Sequence, residues 1–528
     1  MQGKKRREWK LFYTIALENL VPSDHPVRLI AEVLDLSFLY EATRDYYSHE
    51  GKPSVDPVVL FKLHILGYFF GVSSERKLFQ ELRVNLAYRW YLGYDLDEPI
   101  PDHSILSKAR QRFPQKLFGT LFMRIIALCR EAGLISGDYH FIDSTLVRAD
   151  ASKDSFRTKL LTEAEYRAQL DAAAPVARGE RSYAFDGVVD PKKMGRRREK
   201  PRKSESLCST TDPDAQLATR PGKGTFPAYK AHLCVDRKRR VILSITGSVS
   251  SEDDMSRIDP LLSAACLSAG ARPRVVVADK HYGGIEALKY YQDKGIRTCI
   301  HPRIAENMRG RLKNSDFRLS GDKRSCTCPA GIVATKRIQN NFRFQFRFPA
   351  AACQGCSERT RCTNTSGGRL VSYYSGTYFS EALALAESRR GQRLFRARQI
   401  LAEGVLGEAK TLHGLSRCRY RGLLLFEVQL LLTASVINLK RLLKTLRNKG
   451  KTALREAFAE LLHQLSGALF TRLATAPIVD TTVGSSRRAG RAVSPRQCFA
   501  GSVKYATPAF SSMPAPSFAG SIVNSGPW

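Results

Sequence analysis

Up to about residue 118 apolar positions recur in short stretches at helical spacing, each preceded by a polar start signal. Ser54-Val55-Asp56-Pro57 places an N-cap acid before a proline at the first helical position. Ser73-Ser74-Glu75 stands before Lys77-Leu78-Phe79, and Asp102-His103-Ser104 before the short basic stretch Ile105 to Arg112. Residues 11–118 are therefore predicted to be all helical. The pattern then changes. Residues 139–147 (YHFIDSTLV) form a strand candidate, and 229–236 and 241–247 are β-rich runs around a charged turn, a hairpin pattern. Helical spacing follows over 253–269, a fully apolar strand over 274–279, a helix over 285–294 and a strand over 297–300. Strand, hairpin, helix, strand, helix, strand predicts an α/β unit around a mixed sheet.

Two segments interrupt this pattern. Residues 153–223 are charged and aperiodic, with a dense basic run at 191–203, and read as a flexible insert in which order resumes at Tyr229. Residues 305–380 break the pattern again and carry a cysteine cluster. Helices are expected over 381–411, 422–443 and 453–473, followed by a Ser-, Gly-, Pro- and Ala-rich tail, 476–528, with no packed structure expected. The apolar stretches 57–72 and 422–439 are near spanning length. Lys62 and His64 interrupt the first, and Glu427, Gln429 and Asn438 the second, so both read as core helices and no membrane partner is expected.

Charge narrows the partner class. Lys plus Arg number 84 against 50 Asp plus Glu, a net charge of +34, and the usual anion that relieves such self-repulsion is nucleic acid. Lys108, Arg110 and Arg112 on the basic helix, and Arg196, Arg197 and Arg198 in the basic run, are the candidate phosphate contacts. A row of short helices ending in a basic one suits a helix-turn-helix-like DNA module; the plainer reading is a bundle with a solvated basic face. No signal-peptide pattern follows MQGKKRREWK, so the 12 cysteines are read as reduced thiols and a cytoplasmic location is expected.

The candidate chemistry lies where apolar strands end on acids. Phe141-Ile142-Asp143 and Val276-Val277-Ala278-Asp279 each carry a carboxylate out of a hydrophobic run. Burying such a group is costly unless a cation or donor neutralises it, and acids at neighbouring strand ends can share Mg²⁺. Taken singly, each acid is more often a strand terminator or helix cap. A third acid would come from the helix around residues 398–410, where Glu403 and Glu408 compete. Glu403 shares a face with Gly407 and with Lys410, two turns on, but spacing alone leaves the choice open.

In this order, His140-Phe141-Ile142-Asp143-Ser144-Thr145, Ala228-Tyr229-Lys230-Ala231-His232, Val277-Ala278-Asp279-Lys280-His281-Tyr282, residues 402–414, Arg419-Tyr420-Arg421-Gly422 and Asn438-Leu439-Lys440-Arg441 resemble the DDE-class insertion-sequence transposases of bacteria. Residues 18–22 and 101–104 resemble that family's leading domain. The resemblance spans about residues 11–443. It implies a ribonuclease H-like catalytic core over 135–445, with the inserts 153–223 and 305–380, behind an all-α DNA-binding domain over 11–118. It implies that Asp143, Asp279 and Glu403 are catalytic metal ligands for Mg²⁺ or Mn²⁺, and that Lys410 meets DNA near the cleaved phosphate. The implied reaction is two-metal hydrolysis at terminal inverted repeats, then strand transfer into target DNA, by a nucleoid-associated homo-oligomer that handles two element ends together. Relatives often carry Tyr and Arg seven and four positions before the glutamate. Here those positions hold Arg396 and Gln399, and Arg398 is the candidate substitute. Rival readings are a DNA-binding derivative that has lost catalysis and a metal-dependent nuclease without strand transfer. Cys326, Cys328, Cys353 and Cys356, with Cys362 nearby, form a candidate structural zinc site; the second pair has good ligand spacing and the first is tight.

Overall fold

The computed structural model describes residues 16–158, 207–303, 312–374 and 377–448, apart from 49, 52–53, 223 and 341–342. All fall within one of two compact units; the other, residues 180–193 and 482–528, lies outside the described residues. So do Arg196, Arg197 and Arg198, the helix expected at 453–473 and the tail.

A six-stranded mixed sheet is built on β1 (Tyr139–Arg148), which is buried along most of its length. On one side β1 pairs antiparallel with β5 (Gly224–Asp236), which pairs antiparallel with β4 (Gln216–Arg220) and β6 (Ile242–Val249). On its other side β1 runs parallel to β7 (Val275–Val277), which runs parallel to β8 (Arg297–Cys299). The parallel steps need crossovers, supplied by the helices Ile258–Ala269 and Ile285–Asp293. Strand periodicity divides the core. Phe141, Leu233 and Val277 face one cluster, and Ile142, Cys234 and Val276 face the other.

The first face is covered by the helix Leu423–Asn448. That helix is long and apolar enough to cross a membrane, yet it packs against Gln115–Glu131, β6 and Pro57–Phe69. Asn438 fixes its register. The wholly buried side chain accepts from Ile242 N and donates to Ile242 O, both at 2.8 Å, satisfying the outer edge of β6. Gly247 in β6 allows Phe426 to lie close, since a Cβ there would stand 2.9 Å from the Phe426 ring.

Between residues 16 and 131 the regular elements are helices, with the expected starts. Asp56 accepts from Val58 N ahead of Pro57–Phe69, and Ser74 from Lys77 N ahead of Glu75–Val84. Three expectations are corrected. Order resumes at Leu207, because β3 (Leu207–Ser209) pairs with β2 (Phe156–Thr158) and β4 joins the main sheet. The helix expected over 381–411 is broken into Tyr378–Glu387 and Arg389–Arg398, because Ser388 caps the second by accepting from Gly391 N. Gly391 is required there, as any Cβ would meet Leu385 O at 2.0 Å. Residues 312–374 are not patternless: they hold two small three-stranded sheets.

Candidate active site

Phe141 and Val277 are partners across the parallel β1–β7 pair. Two residues beyond each come Asp143 and Asp279, so the alternation of strands sends both carboxylates to the same face where β7 ends beside β1; the expectation that Asp143 ends its strand is corrected, because β1 runs on to Arg148 paired with β5. Asp143 still lies within β1, opposite Leu233 of β5, and its side chain is 11% exposed. Ser144 N donates to it at 2.9 Å. Asp279 lies just past β7 and caps the turn Lys280–Tyr282, accepting from His281 N at 2.8 Å.

The third carboxylate arrives on a widened helical turn. Arg389–Arg398 runs into the π-helical segment Gln399–Glu403 and then into Gly404–Leu412. Ala402 buries this segment against the sheet, while Glu403 remains half exposed. In an α-helix the residue on the same face one turn before Glu403 would be Gln399. A π turn closes over five residues, so Arg398 takes that place. Its guanidinium lies 2.6 Å from Glu403 Oε1 and 3.2 Å from Asp143 Oδ2, bridging the two acids. Lys410 donates to Thr145 Oγ1 at 2.5 Å and Leu146 O at 3.2 Å, just beyond Asp143 along β1. Glu408, the competing glutamate, turns elsewhere: it pairs with Arg441 at 2.8 Å and Arg240 at 3.8 Å.

The electrostatics follow from this placement. The Asp143 carboxyl is pushed up to about 6, chiefly by burial and to a lesser extent by the charges of Asp279 and Glu403, against the opposing pull of Arg398 and the Ser144 amide. Asp279 and Glu403 thus stand near enough to act on Asp143, and Arg398 pairs with Asp143 and Glu403. Among the described residues no three His, Cys, Asp or Glu side chains are already grouped to hold a metal ion. The donor set nevertheless suits a divalent cation: three carboxylates, one of them buried, two of which already share the positive charge of Arg398.

A second polar cluster underlies the site on the opposite face of the sheet. Asp254 accepts from Lys230 Nζ at 3.0 Å and Ser144 Oγ at 3.3 Å. His232 lies 3.1 Å from the Tyr282 hydroxyl and 2.9 Å from Ser248 Oγ, and burial pushes its pKa down to about 3, so it is neutral. Lys230 and His232 alternate along β5 and Tyr282 belongs to the Asp279 turn, so this cluster braces both acid-bearing segments from beneath. The run Ala228-Tyr229-Lys230-Ala231-His232 was its visible signal, but Asp254 had none.

The remaining expected residues divide. Lys108 and Arg112, four apart on the helix Ser104–Arg112, are both exposed. Arg110 lies between them in sequence and so on the other side of the helix, and its assignment as a phosphate contact is corrected: its side chain is 6% exposed, pairs with Glu75 at 2.6 Å and stacks 4.0 Å from the Tyr420 ring centroid. His281 is exposed, with Nδ1 3.2 Å from Arg303 Nη2. Cys326 and Cys328 sit at one end of a small sheet, with Cys353 and Cys356 on a neighbouring helical loop.

Comparison with known proteins gives two family matches. A family profile described as a Transposase domain (DUF772) matches residues 15–112, and one described as a Transposase DDE domain matches residues 327–443. Of the three acids only Glu403 lies within a matched range. No curated protein matches. Among solved structures, the cryo-EM structure of the piggyBac transposase synaptic complex with hairpin DNA aligns over 86% of this chain and 80% of that one, at 9% identity and a TM-score of 0.33, too low to carry an argument.

Proposed function

Because the chain belongs to the DDE-class insertion-sequence transposases, we propose that it cuts DNA at terminal inverted repeats and joins the ends to target DNA, using Asp143, Asp279 and Glu403. The observation that carries this reading is that Arg398 bridges the strand acid Asp143 and the helix acid Glu403, while the charge of Asp279 also acts on Asp143. The sheet supports a ribonuclease H-like core over about 135–445: three antiparallel strands with two parallel ones on the far side of β1, and the acids where β1 and β7 adjoin. The helices within 11–118 would then form the DNA-binding domain, with Lys108 and Arg112 toward phosphate and the basic insert as a further DNA contact.

The residues have separable roles. Asp143 supplies a fixed carboxylate from within β1, Asp279 one from the turn just past β7, and Glu403 a more exposed one on the wide turn. Arg398 neutralises their mutual repulsion and stands where a DNA phosphate would meet it. Lys410 holds an ammonium against β1 just beyond Asp143, oriented by Thr145 and Leu146. Divalent metal ions, Mg²⁺ or Mn²⁺, when bound by the acids, would activate water or a 3′-hydroxyl and stabilise the leaving oxygen. Joining two ends implies a homo-oligomeric synapse, and the DNA substrate implies work at the nucleoid of a bacterial cytoplasm.

The test is cleavage and joining of a labelled terminal inverted repeat in Mg²⁺ or Mn²⁺. Wild type is expected to nick the end and transfer it, and Asp279→Asn to do neither. Equal cleavage by both would overturn the carboxylate assignment. Cleavage without joining would identify a nuclease, and specific DNA binding without cleavage a derivative that has lost catalysis.

A further inference from the structure

Asp143 and Asp279 are tied to the sheet unequally. Asp143 lies within β1, and its neighbours on both sides are paired with β5. Asp279 has no such support: the pairing of β7 with β1 and with β8 ends at Val277, two residues short of it. The turn that follows closes on itself, with Tyr282 N donating to Asp279 O at 3.1 Å and Gly283 N to Lys280 O at 3.0 Å. On one side Arg303 N donates to Gly283 O at 2.7 Å, which ties the turn to the chain beyond β8 and not to β1. The separation of the two carboxylates therefore depends on what ties this turn to β1 and β5.

Two ties do so, both on the face of the sheet away from the carboxylates. The first is the Tyr282 hydroxyl. The side chain is wholly buried, and the hydroxyl lies 3.1 Å from His232 Nδ1. His232 stands opposite Ser144, the residue after Asp143, across the β1–β5 pair. Ser248 Oγ donates to Val249 O at 3.2 Å and so accepts from His232 Nε2 at 2.9 Å, which leaves Nδ1 to accept the Tyr282 hydroxyl proton. The second tie is Asp254, which accepts from Ser144 Oγ at 3.3 Å and opens the turn Asp254–Arg257. Met255 of that turn packs on Gly284, so closely that a Cβ there would stand 2.0 Å from its sulfur. The charge of Asp254 is met by Lys230 Nζ at 3.0 Å, so this acid supports the site from behind and is not one of its ligands.

We propose that Tyr282, His232 and Asp254 are positioning residues that hold Asp279 at its working distance from Asp143, and so set the affinity of the acids for a divalent ion. This rests on the catalytic reading of the two acids given above. Hydrogen-bonded groups behind metal-binding side chains fix their orientation, and loss of one typically weakens metal binding by roughly 10–100-fold.

The test uses the full chain without DNA. Tyr282→Phe removes one hydroxyl and keeps the buried ring. By hydrogen exchange in EDTA, the amides of residues 280–283 should exchange about fivefold faster in this variant, with those of β1 unchanged. Calorimetric titration should show Mn²⁺ bound about tenfold more weakly than by wild type. Ser248→Ala, which frees the other ring nitrogen of His232, should move both readouts the same way by less. Tyr291→Phe removes another wholly buried hydroxyl, one without a hydrogen-bond partner among the described residues, and should move neither. A merely structural bond would lower the melting temperature of Tyr282→Phe and leave the Mn²⁺ affinity of the folded chain unchanged, and that result overturns the positioning role. Ser248→Ala equal to wild type in both readouts would overturn the link through His232. Wild type that binds Mn²⁺ no better than Asp279→Asn would overturn the carboxylate assignment itself, and the positioning role with it.

Discussion

Replacing Asp143 with asparagine should make the protein more stable above neutral pH, and the size of the gain follows from the burial of the carboxylate. Its pKa in the fold is about 6 against an ordinary 3.8. Between these values the unfolded chain has released the proton and the folded chain has not, so stability falls as pH rises through that window. Two pH units at about 1.4 kcal/mol each give a penalty of about 3 kcal/mol, complete above pH 6 and absent below about 4. Asparagine can keep the acceptor for Ser144 N and carries no charge, and Arg398 retains Glu403 as partner. The assay is urea unfolding of wild type and D143N at half-unit steps from pH 4 to 8, with EDTA present. The curves should meet near pH 4 and separate by about 3 kcal/mol at pH 7, with D143N the more stable. Added Mg²⁺ should narrow the gap at pH 8, because an ion bound to the acids stabilises wild type alone. A gap independent of pH, or a variant less stable at pH 8, would refute the reasoning.

Other substitutions separate the site from its scaffold. Asn438→Leu leaves the Ile242 amide and carbonyl without partners in a dry core and should cost about 2–5 kcal/mol in denaturant unfolding. Glu403→Gln should abolish cleavage of an inverted-repeat substrate while barely changing the melting temperature. Glu408→Gln should lower the melting temperature through its pairs with Arg441 and Arg240 and leave cleavage by the folded protein largely intact. Lys108→Ala should reduce the salt dependence of DNA binding by roughly one counterion, read as the slope of log K against log salt. Arg110→Ala should instead destabilise the fold with that slope unchanged, because its partners are Glu75 and Tyr420.

How much could be read in advance varied with the physics behind each residue. Asp143 and Asp279 were visible because a carboxylate beside an apolar run is costly to bury, although Asp143 proves to lie within β1 and not at its end. Glu403 could not be told from Glu408 by helical phase, because from Glu403 onward the helix is regular and phase alone does not say which of its faces meets the sheet; the π turn lies before Glu403 and shifts only the arginine. Order at Leu207 to Arg220 was missed because its strands are short and polar, held by pairing with β2 and β5 and not by a hydrophobic face. Arg110 was grouped with Lys108 and Arg112 for its charge, although two-residue steps on a helix point to opposite sides. Asp254 gave no local signal: its partners Ser144, Lys230 and His232 come from two different strands.

The wide turn before Glu403 also bears on how such sites are recognised. Signatures that count residues between functional groups treat a helix as a ruler with fixed divisions. A π turn adds one division without changing what stands opposite the strand ends, so an arginine five places ahead can stand where a ruler looks four places ahead. A relative with one residue fewer and a plain helix could present the same guanidinium to the same acids, and alignment would score the pair as a gap and a mismatch. The quantity held constant is angular position around the helix axis, and a search framed in angle would recover sites that a search framed in spacing discards.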